Sequence, residues 1–522
     1  GKGGNAQRRG EYGICGGRRD PISGASIAWR GGSVGRHGVF LEPRGLIYAM
    51  NKPPNIIFIL IDDLGWRDLS CYGSSFYETP NLDRLAGEGM KFTDAYASCP
   101  VCSPTRASLL SGKYPARVGV TQWIGGHAVG KLCDVPYIHF LPSSERSLAT
   151  ALRDGGYQTW HVGKWHLGGK TTWPERHGFD VNIGGCGWGS PQQGYFSPWG
   201  IETLPDGPKG QYLTDAITDA AVKQIEGRDH TKPFFLNLWH YAVHTPIQAP
   251  EALVEKYRAK AARLGLKEED AIEEGEYLPC LHLQPNRVMR RRFQSDPVYA
   301  AMIESLDTSI GRVLHTLAAE GIADDTLVVF KSDNGGLATA ESSPTCNAPL
   351  SEGKGWMYEG GNRVCQIARW PHVIPVGTVS SEPTTTPDWY PTLLEVAGLP
   401  LDPAQHVDGK SLLPLLRGAR DERGAIFWHY PHYSNQGGTP AAAVRDGDWK
   451  LIEFFEDGHQ ELYNLREDIG ETNDRGSSEP DILRTLTEKL HAWQHEIEAL
   501  FPKVNHRYVP PVPESGVDAA EV

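Results

Sequence analysis

The sequence contains no apolar run long enough to cross a bilayer. Its stretch Phe58–Ile61 falls far short of the about 20 residues a membrane-spanning helix needs. It has no excess of positive charge either, since 51 Lys and Arg stand against 64 Asp and Glu, a net −13. Bulk electrostatics therefore argue against a general affinity for nucleic acid or anionic membrane. Cysteine is sparse: nine residues, an odd and scattered set, which argues against a disulfide framework and says little about compartment. Residues 1–49 are rich in Gly and Arg but lack the apolar segment of a signal peptide. Read literally, that gives a cytoplasmic address; an incomplete N-terminus would leave a periplasmic or secreted one open. No internal repeat or long low-complexity tract is evident.

What is present is a globular composition, 39% hydrophobic and 22% charged. A chain of 522 residues is too long for one ordinary domain. Residues 1–49 read as a flexible leader or translated upstream sequence. Ile56–Ile61 reads as a strand buried on both faces, followed by a helix opened by Thr79 as cap and Pro80 at its first turn. Further strands are predicted over 159–162, 234–238 and 326–330, and helices near 147–153 and 298–319. Strands alternating with helices imply an α/β fold with a large, mostly parallel central sheet and helices on both faces. Beyond residue 420 the pattern changes to an antiparallel meander over 441–444, 449–453 and 461–465, closed by a helix near 480–500. The predicted division is therefore 50–420 for the large domain, 421–510 for a smaller α+β subdomain and 511–522 for a tail.

Two adjacent carboxylates, Asp62 and Asp63, follow the first strand directly. They can converge only if the strand ends there and turns, and a cation would offset their repulsion. Asp333-Asn334 repeats the arrangement after another strand, where α/β proteins place ligand sites. Together the pairs offer hard oxygens suited to Ca²⁺ or Mg²⁺ rather than zinc. Cys99-Pro100-Val101-Cys102 has the spacing of a redox pair, but Ser103-Pro104-Thr105-Arg106 follows it. Ser103 can cap and Pro104 can begin a helix that Gly112 ends, placing Cys102 at its positive end with Arg106 one turn in.

Cys102-Ser103-Pro104-Thr105-Arg106, with the Leu-rich small-residue helix after it, resembles the signature of the sulfatase family. Gly163-Lys164-Trp165-His166-Leu167-Gly168 is similar to that family's second signature, and Glu352-Gly353-Lys354-Gly355 to its late Gly-Lys element. Of the two histidines in His240-Tyr241-Ala242-Val243-His244-Thr245-Pro246, the resemblance selects His244 and leaves His240 to packing. It extends over roughly residues 55–473.

The resemblance implies an alkaline-phosphatase-like fold and a type I, arylsulfatase-like sulfuric ester hydrolase. Its nucleophile would be Cys102 oxidised to 3-oxoalanine (formylglycine) by a formylglycine-generating or equivalent maturation enzyme. One hydroxyl of the aldehyde hydrate would attack sulfur, and the other would later expel sulfate. One Ca²⁺ per chain would be held by Asp62, Asp63, Asp333, Asn334 and modified Cys102. Arg106 would steady the hydrate, Lys164 and Lys354 would hold sulfate, His244 or Lys354 would assist the leaving alcohol, and His166 would be the base. The expected partner is a sulfated small molecule or saccharide, with no nucleic acid and no membrane span. Trp123, His127, Trp188 and Tyr195, in the Gly-rich loops 121–143 and 184–199, are candidate sugar contacts. A phosphomonoester or phosphonate hydrolase of the same superfamily is the alternative enzyme. A noncatalytic sulfated-glycan-binding protein is the reading if Cys102 stays a thiol.

Overall fold

The computed structural model describes residues 52–420 and 422–510; the segments 1–49 and 511–522, read above as leader and tail, lie outside the described residues. In chain order the strands are β1 (Asn55–Ile61), β2 (Met90–Tyr96), β3 (Gln158–Gly163), β4 (Val181–Ile183), β5 (Phe234–Trp239), β6 (Ile272–Tyr277), β7 (Arg287–Arg291) and β8 (Thr326–Ser332). They continue as β9 (Arg363–Arg369), β10 (Thr378–Ser380), β11 (Thr384–Thr385), β12 (Ile426–Tyr430), β13 (Ala441–Asp446), β14 (Trp449–Phe454) and β15 (Gln460–Asn464).

The large sheet runs β10-β2-β9-β8-β1-β5-β3-β4, with β11 beside β2. Only β9 is antiparallel to its neighbours, so the sheet is mostly parallel, as expected. β1 shows why its sequence is apolar throughout. Ile57, Ile59 and Ile61 enter one hydrophobic core, while Ile56, Phe58 and Leu60 enter the core on the opposite face. Helix Pro297–Ala319 supplies Met302, Ile303, Leu306, Ile310, Val313 and Leu317 to the first core, at the predicted helical spacing. Among the described residues no helix is long and apolar enough to cross a membrane. None of the cysteines among them forms a disulfide.

The second sheet, β12-β13-β14-β15, is antiparallel throughout and begins at Ile426. Helix Pro480–Glu496 packs Leu486, Leu490 and Trp493 against it. One predicted cap is corrected here. Helix Pro80–Gly87 starts as expected, but the Thr79 hydroxyl caps nothing and instead bonds Asp83 at 3.2 Å and Ser70 at 3.1 Å. The hairpin β6–β7 had no counterpart in the sequence reading. Its alternating pattern is weak because most of its residues are charged and partly exposed.

Candidate active site

Parallel strands share one carboxyl edge, and that geometry assembles the site. β1 and β8 pair in register, Ile61 opposite Ser332, so Asp62-Asp63 and Asp333-Asn334 leave the sheet side by side. Lys164 and His166 follow β3 at the same edge, and His244 follows β5. Cys102 opens the helix after β2, while Lys354 lies on the loop that leads into the antiparallel β9. Sequence separations of up to 291 residues thus collapse into single hydrogen bonds.

The contacts are close. Arg106 donates from Nε and Nη2 to Asp333 Oδ2 at 2.9 and 2.7 Å, and from Nη1 to the Lys164 carbonyl at 3.0 Å. Lys164 Nζ donates to Asp62 Oδ2 at 2.5 Å. Lys354 Nζ donates to Asp63 Oδ2 at 2.7 Å and meets His244 Nε2 at 2.9 Å. Asn334 Nδ2 donates to Asp63 Oδ1 at 2.8 Å. Cys102 Sγ lies 3.3 Å from His166 Nδ1. Asp62, Cys102 and Asp333 offer ligand atoms all within 4.8 Å of one another.

Two buried oxygens in this cluster accept no hydrogen bond: Asp62 Oδ1 and Asn334 Oδ1. A buried polar oxygen without a hydrogen bond is costly, and both belong to residues already singled out as hard-cation ligands. The donor set therefore fits a Ca²⁺-type ion. His240, by contrast, is buried away from these contacts with both ring nitrogens unpartnered, as a packing residue.

Burial and charge divide the groups. Burial raises the Asp62 carboxyl against the pull of Lys164. Asp333 is pushed up to about 7 by burial and by Asp62, against Arg106. At Asp63 burial is outweighed by Lys354 and His244, which hold its carboxyl well below the usual range. Burial, reinforced by Lys164, keeps His166 neutral. His244 is pushed down to about 4 by burial and by Lys354. Its Nδ1 faces the Thr245 carbonyl at 3.0 Å, which assigns the imidazole proton there and leaves Nε2 to accept from Lys354.

Several expectations change. Ser103 does not cap: the helix starts at Cys102 itself, and the Ser103 hydroxyl donates to the His166 carbonyl at 2.9 Å and accepts from Ile124 N at 3.1 Å. It thereby ties the loop 121–143 to the segment carrying His166. Spaced two apart, Lys164 and His166 would share one face if the backbone stayed extended, but β3 ends at Gly163 and His166 has φ +54°. Tyr195 is no sugar contact; it is fully buried, and its hydroxyl donates to the Tyr241 and His244 carbonyls, each at 2.8 Å. Trp123 and Trp188 are half-buried, and His127 is exposed with Nδ1 on Asp134 at 2.8 Å. The sequence reading also missed Gly189, where a Cβ would sit 2.6 Å from the His166 ring. The Gly-rich run 184–189 was the available signal.

The family model for Sulfatase matches residues 54–399. The chain belongs to the sulfatase family. A second family model, for the C-terminal part of N-sulphoglucosamine sulphohydrolase, matches residues 353–496. A sulfatase of Formosa agariphila is 33% identical over 528 residues, covering 85% of this chain and 89% of that one. N-acetylgalactosamine-6-sulfatase of Sus scrofa is 34% identical over 402 residues, covering 72% and 69%. Among solved structures, Ps i-CgsB in complex with k-i-k-neocarrahexaose superposes with a TM-score of 0.66 at 30% identity, covering 85% and 93%. This sulfatase is thus a type I sulfuric ester hydrolase of the alkaline-phosphatase-like superfamily, with the expected fold.

Proposed function

We propose that this sulfatase hydrolyses sulfate monoesters of a galactose-type sugar, using Cys102 oxidised to formylglycine and one Ca²⁺. The observation that carries the mechanism is the pair of orphaned oxygens, Asp62 Oδ1 and Asn334 Oδ1, in the cluster that holds Cys102. Asp62, Asp63, Asp333, Asn334 and modified Cys102 would hold the ion, which when bound supplies charge neutralisation for the sulfuryl group. As a thiol Cys102 is a poor nucleophile, because burial raises its pKa against the pull of Lys164. That supports oxidation by a maturation enzyme as the route to a competent group.

The remaining work falls to the chain's own side chains. Arg106, fixed by two hydrogen bonds to Asp333, holds residue 102 in place at the start of its helix. Lys164 and Lys354 bind the sulfate oxygens. Neutral His166, 3.3 Å from Cys102 Sγ, accepts the proton given up at residue 102. Lys354 carries the proton on the leaving-group side, and His244 orients it through Nε2. The sugar class rests on the names of the N-acetylgalactosamine-6-sulfatase and the neocarrahexaose complex.

The test compares 4-nitrophenyl sulfate with 4-nitrophenyl phosphate, each after metal stripping and readdition of Ca²⁺ or Zn²⁺. A panel of galactose and N-acetylgalactosamine sulfates is run beside them. Ca²⁺-restored sulfate release with little phosphate release is expected. Zn²⁺-restored phosphate release would favour the phosphohydrolase alternative. Aryl sulfate turnover with no hydrolysis of the sugar panel would overturn the substrate class alone.

A further inference from the structure

At residues 341–343 the backbone does something unusual for side chains with a Cβ. Glu341, Ser342 and Ser343 all have positive φ, at 53°, 79° and 44°. Consecutive left-handed residues other than Gly persist only where their surroundings impose them, and such strain collects at functional sites.

The surroundings here are specific. β7 is laid along residues 338–339, with Met289 N donating to the Thr339 carbonyl at 2.9 Å and Arg291 N to the Ala338 carbonyl at 3.0 Å. The buried Arg291 guanidinium bonds the Ser343 carbonyl, and the Ser343 hydroxyl donates to the Met289 carbonyl at 2.5 Å. The hairpin β6–β7 therefore clamps this turn, which buries Ser343 and leaves Glu341 and Ser342 exposed.

Glu341 stands beside the active site. Its Oε1 accepts from Gln436 Nε2 at 2.5 Å. Gln436 in turn packs on Gly355, where a Cβ would lie only 2.8 Å from Gln436 Oε1. Gly355 is the residue after Lys354. The electrostatics agree with this placement: burial would lower the Lys354 pKa, and Asp63 and then Glu341, ahead of Cys102, raise it.

On the other side of Glu341 opens a cavity of 530 Å³, lined by Ile272, Leu278, Arg287, Ser342 and Asn435 among others. Its lining is mixed, with Ile272, Leu278 and Leu283 as apolar wall and Arg287, Ser342 and Asn435 as polar groups. Arg287 lies 4.1 Å over the Tyr277 ring and pairs with Glu274 at 3.0 Å, so its charge is already answered. An unneutralised carboxylate at the rim repels sulfate and accepts hydrogen bonds from hydroxyls. A carbohydrate fits such a pocket through its hydroxyls and its apolar ring faces.

We infer that the cavity beside Glu341 is a binding site for an uncharged sugar unit adjoining the sulfated one, with Glu341 accepting hydrogen bonds from its hydroxyls. The inference rests on the sugar-sulfate reading above and adds that the enzyme reads an oligosaccharide rather than a lone sulfated sugar.

The experiment uses the matured, calcium-loaded full chain as wild type, Glu341→Gln, Glu341→Gly and Asn435→Ala. It measures kcat/KM on 4-nitrophenyl sulfate, on a sulfated monosaccharide of the panel and on neocarrahexaose. In wild type, a higher kcat/KM on the hexasaccharide than on the monosaccharide is expected. In each variant the ratio of hexasaccharide to aryl sulfate kcat/KM should fall about tenfold, the worth of a lost hydrogen bond to a sugar hydroxyl. Glu341→Gly should meanwhile stay folded, because glycine relieves the positive φ and so offsets the lost hydrogen bond to Gln436. Equal losses on both substrates would mean that Glu341 acts only through Lys354, and would overturn the inference. An unchanged ratio would overturn it too. Failure of wild type on every saccharide would refute the sugar reading itself, and this inference with it.

Discussion

Two clusters of buried charge in this molecule each set three acidic side chains against three Lys or Arg, yet they use their oxygens differently. In the active site, Asp62, Asp63 and Asp333 face Arg106, Lys164 and Lys354. Between the two sheets, Asp94, Glu359 and Glu471 face Arg363, Arg445 and Lys450. In the second cluster all four Glu oxygens are used. Lys450 donates to Glu359 at 2.9 Å, to Glu471 at 2.8 Å and to the Met357 carbonyl at 3.0 Å. Glu359 also accepts from Arg363 Nε at 2.6 Å and Tyr96 OH at 2.7 Å, and Glu471 from Glu359 N at 2.6 Å. The active site instead leaves Asp62 Oδ1 and Asn334 Oδ1 without a hydrogen bond, with Arg106 Nη2 3.7 Å from Asp62 Oδ1 and so beyond hydrogen-bond reach. Counting acids and bases cannot distinguish these clusters; the unanswered oxygens can. One is closed and structural, while the other is built to receive something.

The largest expected effect lies on the open side of that comparison. Asp333→Asn keeps the shape but removes a hard oxygen's charge and weakens the anchor of Arg106. Turnover should fall by at least about a thousandfold, the several kcal/mol a metal site supplies, with calcium stoichiometry lost in parallel. Full activity in the variant, or in a metal-free preparation, would remove the distinction drawn here.

Lys450→Met attacks the closed cluster. It strands two buried carboxylates, so stability should drop by about 3–5 kcal/mol, read by urea unfolding, while calcium binding survives at low temperature. Loss of calcium without loss of stability would show that the two clusters are not separate in function.

A smaller effect concerns pH. Burial, opposed by Lys450 and reinforced by Glu359, pushes the Glu471 carboxyl up from 4.5 to about 7. A carboxyl whose folded pKa lies above its unfolded value binds its proton more tightly when folded. Its contribution to stability therefore falls as pH rises from 4.5 through about 7. Glu471→Gln should flatten that part of the Tm–pH profile, and an unaltered slope would refute the assignment. The smallest effect is Tyr195→Phe, which deletes one hydroxyl holding the His244 and Tyr241 carbonyls. A cost of about 1 kcal/mol is expected, with equal kcat/KM losses on aryl and sugar sulfates. A loss confined to sugar sulfates would restore the reading of Tyr195 as a sugar contact.

Much of this arrangement was legible in the sequence because it is local. The all-apolar Ile56–Ile61 could only be a strand buried on both faces, and the acidic pair after it marked the carboxyl edge of a sheet. The helix behind Cys102 was visible from its Gly112 stop. What was not legible depended on tertiary choice. Ser103 and Thr79 have the chemistry of caps, yet their hydroxyls were drawn to the His166 carbonyl and to Asp83 and Ser70. Tyr195 sits in a Gly-rich loop, and nothing local told that its ring turns inward. The Lys450–Glu359–Glu471 cluster joins residues 91 and 21 positions apart, beyond any periodicity argument.

The central claim is that sulfate ester hydrolysis depends on a modified residue 102 within the open cluster. Peptide mass spectrometry of residue 102, made on fractions of graded specific activity, tests it most directly. The expected result is an aldehyde at position 102 whose occupancy rises in proportion to sulfate release, with Cys102→Ala inactive and folded. Undiminished sulfate release from protein carrying only a thiol at Cys102 would contradict it.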